Sequence, residues 1–222
     1  MKLVLFDLDN TLLAGDSDYA WGQFLVSQGV LDKQTYEAKN RQFYEQYKLG
    51  TLDINAFLDH QLRPLAQYAP EQLNAWHAQF MREHIAPMIT TAARELVARS
   101  LDQADLVAII TATNSFVTRP IAREFGVEHL IATEPEQAGG RYTGRVSGLP
   151  SFREGKIARM HQWLAEQGKP FERFDETWFY SDSHNDLPLL QQVSHPVAVN
   201  ADPVLREHAT RNRWPLLELH GA

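Results

Sequence analysis

Short apolar runs recur along the chain, and most are continuous rather than alternating. They are "LVLFD" (3–7), "DLVAIIT" (105–111), "VEHLIAT" (127–133), "TWFYSD" (177–182) and "PVAVN" (196–200). A strand covered on both faces reads this way, because neither side meets water. Helical spacing lies between the runs. In 154–167, Ile157, Met160 and Leu164 fall at i, i+3 and i+7, and in 92–101 Leu96 and Val97 would face inward. Pro120 suits the first turn of a helix running towards Phe125. Strands alternating with helices predict an α/β fold, a doubly wound, Rossmann-like parallel sheet.

The stretch from 15 to 88 breaks this rhythm. It offers no strand, whereas "YAWGQFLVSQ", "QTYEAKNRQFYEQYK" and "EQLNAWHAQFMREH" read as helices. Trp76 and Phe80 mark one apolar stripe, and Trp21, Phe24 and Leu25 mark another. The expected organisation is an α/β core of 1–14 and 89–222, with a helical cap of 15–88 inserted after the first strand. The stripes are expected to build the cap's own small core, and the cap to act as a mobile lid. "GGRYTGRVSG" (139–148) suggests a small hairpin.

Composition narrows the classes. A chain of 222 residues, 44% of them apolar, has room for one good core and a smaller module. No apolar stretch approaches the roughly 18 residues of a membrane span, and the N-terminus lacks a signal-peptide pattern. A cytoplasmic protein without membrane partners is expected. The absence of cysteine excludes disulfides and thiolate chemistry. A net charge of −7 argues against nucleic acid, which is bound mainly through Lys and Arg. It leaves room for a small phosphate ester, because a metal ion can supply positive charge locally. The nine histidines show no ligand spacing such as H-E-x-x-H.

Active sites of open α/β sheets lie beyond the carboxyl ends of the strands. Asp7 and Asp9 end the first run, Thr111 the second, and Asp182 the fourth, with Asp186 four residues on. Lys156 opens a helix after "FREG". Singly, each reads as a turn residue, a cap or a solvated side chain. Jointly they bring carboxylates, a hydroxyl and an ammonium to one edge.

The set Asp7-Leu8-Asp9-Asn10-Thr11-Leu12, Thr111, Lys156 and Asp182-Ser183-His184-Asn185-Asp186 resembles the haloacid dehalogenase superfamily of aspartate-nucleophile phosphatases. The helical insert and "GRYTGRVSG…EGK" are similar to its phosphoserine-phosphatase-like branch. The resemblance implies Asp7 as nucleophile and Asp9 as general acid/base. It implies phosphoryl binding by Thr111, Ala112 and Lys156, with Asn185 close by. It further implies magnesium on Asp7, Asp182 and the Asp9 main-chain carbonyl, with Asp186 in support.

Elementary electrostatics agrees with these roles. A carboxylate approaching a phosphate meets like-charge repulsion, about 1 kcal/mol per charge pair at about 4 Å in water and about 4 at an effective dielectric of 20. A divalent cation and Lys156 would reverse that sign. Two carboxylates are then needed because one attacks phosphorus while the other moves the proton.

Two other readings share parts of the pattern. A phosphoacceptor receiver domain also has acidic strand ends, a Thr and a Lys, but places its acidic pair on a different strand from the phosphoacceptor and has no insert after strand one. A phosphoryl-transferring mutase of the same superfamily is the other. The expected substrate is a small phosphomonoester, with histidinol phosphate first and phosphoserine or a broad range as alternatives. Acidic residues, Asp16, Asp18, Asp53 and Asp59, surround the lid entrance. Asp16 takes the place of the branch's ammonium-binding Glu, and the branch's carboxylate-binding Arg falls near 59–61, with Arg63 displaced. A monomer or homodimer is expected.

Overall fold

The computed structural model describes residues 1–220. Seven strands form one sheet in the order β4-β3-β2-β1-β5-β6-β7. They are β1 (Lys2–Phe6), β2 (Leu106–Asn114), β3 (His129–Ala138), β4 (Arg141–Ser147), β5 (Glu176–Ser181), β6 (His195–Val199) and β7 (Leu216–Leu217). All neighbours are parallel except β3 and β4. The helices are α1 (Ser17–Ser27), α2 (Lys33–Lys48), α3 (Ile54–Gln67), α4 (Pro70–Phe80), α5 (Ala86–Met88), α6 (Thr91–Gln103), α7 (Ser115–Glu124), α8 (Glu154–Glu166), α9 (Leu187–Leu190) and α10 (Pro203–Asn212). Among the described residues, no helix is long and apolar enough to cross a membrane.

β1 shows why the apolar runs are continuous. Leu3 and Leu5 pack on one side with Met160 and Leu164 of α8, Leu189 and Leu190 of α9 and Leu205 of α10. Val4 and Phe6 pack on the other with Ala93 and Val97 of α6 and Val117 and Ile121 of α7. Alternate residues serve opposite layers, and both layers are apolar. β1 lies between β2 and β5, where the winding reverses, so its carboxyl end opens at the switch point that forms crevices in such sheets.

Several local expectations need correcting. β2 continues to Asn114, whose side chain accepts from the Val117 amide at 3.2 Å and caps α7. That cap starts the helix at Ser115, so Pro120 lies within it rather than in its first turn. The 139–148 segment supplies only half of a hairpin. Its first arm is β3 itself, and Gly139 and Gly140 turn the chain at positive φ.

The insert between β1 and α6 holds α1 to α5, with a π-helical turn at Met81–Ile85 on its return. Leu13 and Ile89 pair as an antiparallel bridge at its neck. Asp16, Asp32 and Asp53 cap α1, α2 and α3 through amides of their first turns. The sequence pattern did not announce α3, because Pro64 interrupts it. Buried Leu58, Leu62 and Leu65 hold that helix in place. The insert has no separate core. Its stripes run into one cluster with the sheet, since Trp21 meets Phe80 at 5.2 Å and Phe116 of α7 at 5.5 Å. His77 of α4 binds the Val117 carbonyl through Nε2 at 2.9 Å across the same seam.

Candidate active site

Asp7 follows β1 directly, its amide still bonded to the Tyr180 carbonyl of β5 at 2.9 Å. The chain then turns tightly. The Leu8 carbonyl accepts from the amides of Leu12 and Leu13, and Asn10 takes a left-handed φ of 57°, which Asn tolerates better than most residues. This turn leaves Asp7 and Asp9, two residues apart, at the same edge.

Lys156 comes from the first turn of α8. Its ammonium lies 2.8 Å from Asp7 Oδ1 and 2.7 Å from Asp186 Oδ2, with all three residues buried. Ser181 donates to the same Asp186 oxygen at 2.7 Å. Burial alone would lower the Lys156 pKa, but Asp186 and Asp7 outweigh it and hold the ammonium above its ordinary value. Lys156 is therefore a fixed positive charge that also fixes the rotation of the Asp7 carboxylate.

Thr11 links the first and last acidic motifs. Its hydroxyl lies 3.1 Å from Asp7 Oδ2 and 3.2 Å from Asp182 Oδ1, and it accepts the Asp182 amide at 3.0 Å. One hydroxyl proton cannot satisfy both carboxylates. No ion pair to Asp182 is formed among the described residues. Burial, with Asp7 and Asp186 nearby, pushes its carboxyl well above the usual range. Burial likewise pushes Asp7 up to about 7, against the opposing pull of Lys156. Three carboxylates, Asp7, Asp182 and Asp186, lie around one ammonium, so the site is short of positive charge.

Asp9 is held from two sides. Oδ1 accepts the Ser17 amide at 2.7 Å, and Oδ2 accepts the Thr113 hydroxyl at 2.8 Å. Burial, then the Asp16 charge, pushes its pKa up to about 6, near where a proton can be given and taken at neutral pH. Thr111 points to the same oxygen at 3.5 Å and accepts the Thr113 amide at 3.2 Å. The Ala112 carbonyl is taken by the Thr133 hydroxyl at 2.8 Å.

The structure thus brings Asp7, Asp9, Thr111, Lys156, Asp182 and Asp186 to one edge. Asn185 adjoins them, but its side chain is engaged by Arg153 and by the Tyr47 carbonyl. Asp16 lies close enough for its charge to raise the Asp9 pKa. It faces solvent, and its Oδ1 takes the amides of Asp18 and Tyr19 as the cap of α1. Asp53 and Asp59 are exposed too, whereas Asp18 is buried.

Sequence reasoning missed Thr113, Thr11 and Arg153. The alternation Thr111-Ala112-Thr113 could have found Thr113, since residues two apart on a strand share a face. Thr11 lay within the quoted motif but had no role. Nothing in the sequence pointed to Arg153.

The profile of the haloacid dehalogenase-like hydrolases matches residues 4–191 of this chain. The chain belongs to that family. A histidinol-phosphatase of Neisseria meningitidis serogroup C (strain 8013) is 47% identical over 97% of this chain and 98% of its own length. A crystal structure of a Bordetella pertussis Tohama I protein of unknown function is 49% identical, with a TM-score of 0.93 and 99% of each chain covered. A substrate-bound phosphoserine phosphatase superposes with a TM-score of 0.69 over 97% of this chain and 92% of its own, but is 19% identical, and so shares the fold. This haloacid dehalogenase-like hydrolase is a phosphoric monoester hydrolase.

Proposed function

We propose that the enzyme hydrolyses histidinol phosphate through a phospho-aspartyl intermediate on Asp7, with magnesium as cofactor. The 47% identity to a histidinol-phosphatase along nearly the full length of both chains carries this reading. A second support is local. Asp18 lies buried at the inner end of α1, where burial and then the neighbouring Asp16 and Asp9 push its carboxyl well above the usual range, so an entering cation would favour its charged form. At the position expected to hold a carboxylate-binding arginine stands Gln61, which donates to Asp18 Oδ2 at 2.7 Å, while Arg63 is exposed. An amino-alcohol phosphate brings an ammonium that such a carboxylate attracts. Phosphoserine adds a carboxylate that would meet the same acidic group instead of a cation. Asp18 thus joins Asp16 in the proposed ammonium-binding role.

The residues fit magnesium by charge and by donor type. Among the described residues no three Asp, Glu, His or Cys side chains form a ready cage. Asp7 and Asp182 offer two carboxylates, and the main-chain carbonyl of Asp9 and water would complete the set. Magnesium is commonly held this way, by one or two carboxylates with several waters retained. When bound, it neutralises the anionic edge and polarises a phosphoryl oxygen.

Lys156 and the threonine hydroxyls orient the phosphoryl group in line with Asp7. An Asp7 oxygen forms a bond to phosphorus as the bond to the alcohol oxygen breaks, and Asp9 donates its proton to the departing alkoxide. Asp9 then removes a proton from water. That water attacks phosphorus, the bond to Asp7 breaks, and orthophosphate leaves.

Phosphate release should be compared across histidinol phosphate, phosphoserine, glycerol phosphate and sugar phosphates, with magnesium present. Histidinol phosphate should lead by at least tenfold in kcat/KM, about 1.4 kcal/mol. A lead for phosphoserine or a sugar phosphate overturns the substrate.

A further inference from the structure

Arg153 stands out on backbone grounds. It is a non-glycine residue at φ 51° and ψ −121°, outside both helical basins, immediately before α8. Such a conformation is strained and persists only where surrounding contacts over-determine it. Those contacts are present. The guanidinium donates to Asn185 Oδ1 from Nε at 3.0 Å and from Nη2 at 2.9 Å. Nη2 also donates to the Gly50 carbonyl of the cap at 2.6 Å. Gly50 has φ +67°, and a Cβ there would lie 2.7 Å from that nitrogen, so glycine permits both the turn and the approach.

Tyr47, one turn earlier on α2, completes the arrangement. Its hydroxyl is 2.7 Å from Ser183 Oγ, and its carbonyl accepts from Asn185 Nδ2 at 3.3 Å. Ser183 Oγ in turn accepts the Asn185 amide at 3.2 Å. The tip of α2, the start of α8 and the turn between Asp182 and Asp186 are therefore tied together mainly by polar contacts, with the Phe152 ring 6.3 Å from that of Tyr47 and 5.3 Å from the Arg153 guanidinium. On the opposite side the insert is welded to the core through Trp21, His77, Phe80 and Phe116. α3 is braced by the hairpin, where a Cβ on Gly144 would lie 3.2 Å from Ala66 Cβ.

We infer that Arg153 is a positioning residue, which clasps the α2 tip to the acidic turn so that closure over the site and order in that turn are one event. The moving part is the 44–52 tip rather than the whole insert. Apolar contacts at the seam are broken only by exposing their surface, whereas the clasp exchanges its hydrogen bonds for bonds to water at little net cost. With the clasp open, Asn185 loses its partners, and the turn between the two acidic residues loses its brace. With it closed, the guanidinium's planar fork serves two segments at once, which a lysine cannot match. Neither the substrate's identity nor the role of Asp18 enters this inference.

Arg153→Met and Tyr47→Phe, with hydrogen exchange and steady-state kinetics on the full-length magnesium-loaded enzyme, test it. Both variants should exchange at least tenfold faster in 44–52 and in 182–188 together, with β1 as protected as in the wild type. KM for whichever phosphate ester is turned over should rise at least fivefold and account for most of the loss in kcat/KM, because the binding-competent state is less populated. The double variant should lose less than the product of the two single losses, as contacts in one clasp must. Faster exchange in only one segment, multiplicative losses, or a fall in kcat with KM unchanged overturns the inference. Tyr47→Phe removes a single oxygen and decides the matter if Arg153→Met does not fold.

Discussion

Lys156 Nζ lies 2.8 Å from Asp7 Oδ1, and both side chains are buried, 3% and 10% exposed. The charge and orientation of Asp7, the proposed nucleophile, therefore depend on one cation. Replacing Lys156 with methionine leaves Asp7 and Asp186 facing each other without it. Breaking a buried pair this way costs on the order of 3–5 kcal/mol. Urea unfolding of the metal-free protein should show a loss in that range, and turnover should fall to background. A variant as stable as the wild type would contradict the arrangement.

Asp9 and Thr113 give a prediction that depends on the leaving group. An aryl ester departs with little help, whereas an alkyl alkoxide needs a proton. Asp9→Asn should therefore slow an alkyl phosphate far more than p-nitrophenyl phosphate in a single-turnover assay. Thr113→Val removes the 2.8 Å hydrogen bond to Asp9 and should give the same pattern in weaker form. Equal losses on both esters would remove Asp9 from the acid role.

The shortage of positive charge predicts a stabilising cation. Ligand that binds only the folded state at 100 times its Kd adds about 2.7 kcal/mol. Magnesium should raise Tm in the wild type and much less in Asp182→Asn. Excess chelator should abolish turnover, and calcium should restore it poorly, since its longer and looser coordination would misplace Asp7. A chelated enzyme at full rate would overturn the metal requirement.

The seam carries a pH dependence through His77. Burial holds its pKa below the ordinary 6.5, despite the hydrogen bond to Val117. The unfolded chain then binds a proton that the folded one resists, so stability is full above pH 6.5 and is lost as pH falls through the lower folded value. The difference in unfolding free energy between wild type and His77→Gln should change with pH below 6.5 and be constant above it. A constant difference across the range would mean that the imidazole titrates alike in both states.

Much of this was legible in the chain. β1 could be read because both its faces are covered, which makes Leu3 to Phe6 one unbroken run. Asp7, Asp9, Lys156, Asp182 and Asp186 could be placed because strand and helix ends are local signals. The insert's packing was not legible, because the stripe of Trp21 and Phe24 shows which face is buried and not what covers it. Phe116, from a distant helix, turned out to lie against it. α3 was obscured because the local cost of Pro64 is overridden by tertiary burial of Leu62 and Leu65. Arg153 was invisible because its partners, Gly50 and Asn185, lie 103 and 32 residues away.

Covalent transfer of the phosphoryl group to Asp7 is the step on which the proposed reaction turns. It is tested most directly by acid-quenching the enzyme within one turnover of labelled histidinol phosphate and mapping the label by peptide mass analysis. A phosphoryl group should appear on the peptide containing Asp7, labile to hydroxylamine as an acyl phosphate is, and be absent from Asp7→Asn. Label on any other residue, or turnover by Asp7→Asn above about one per cent of wild type, would contradict it.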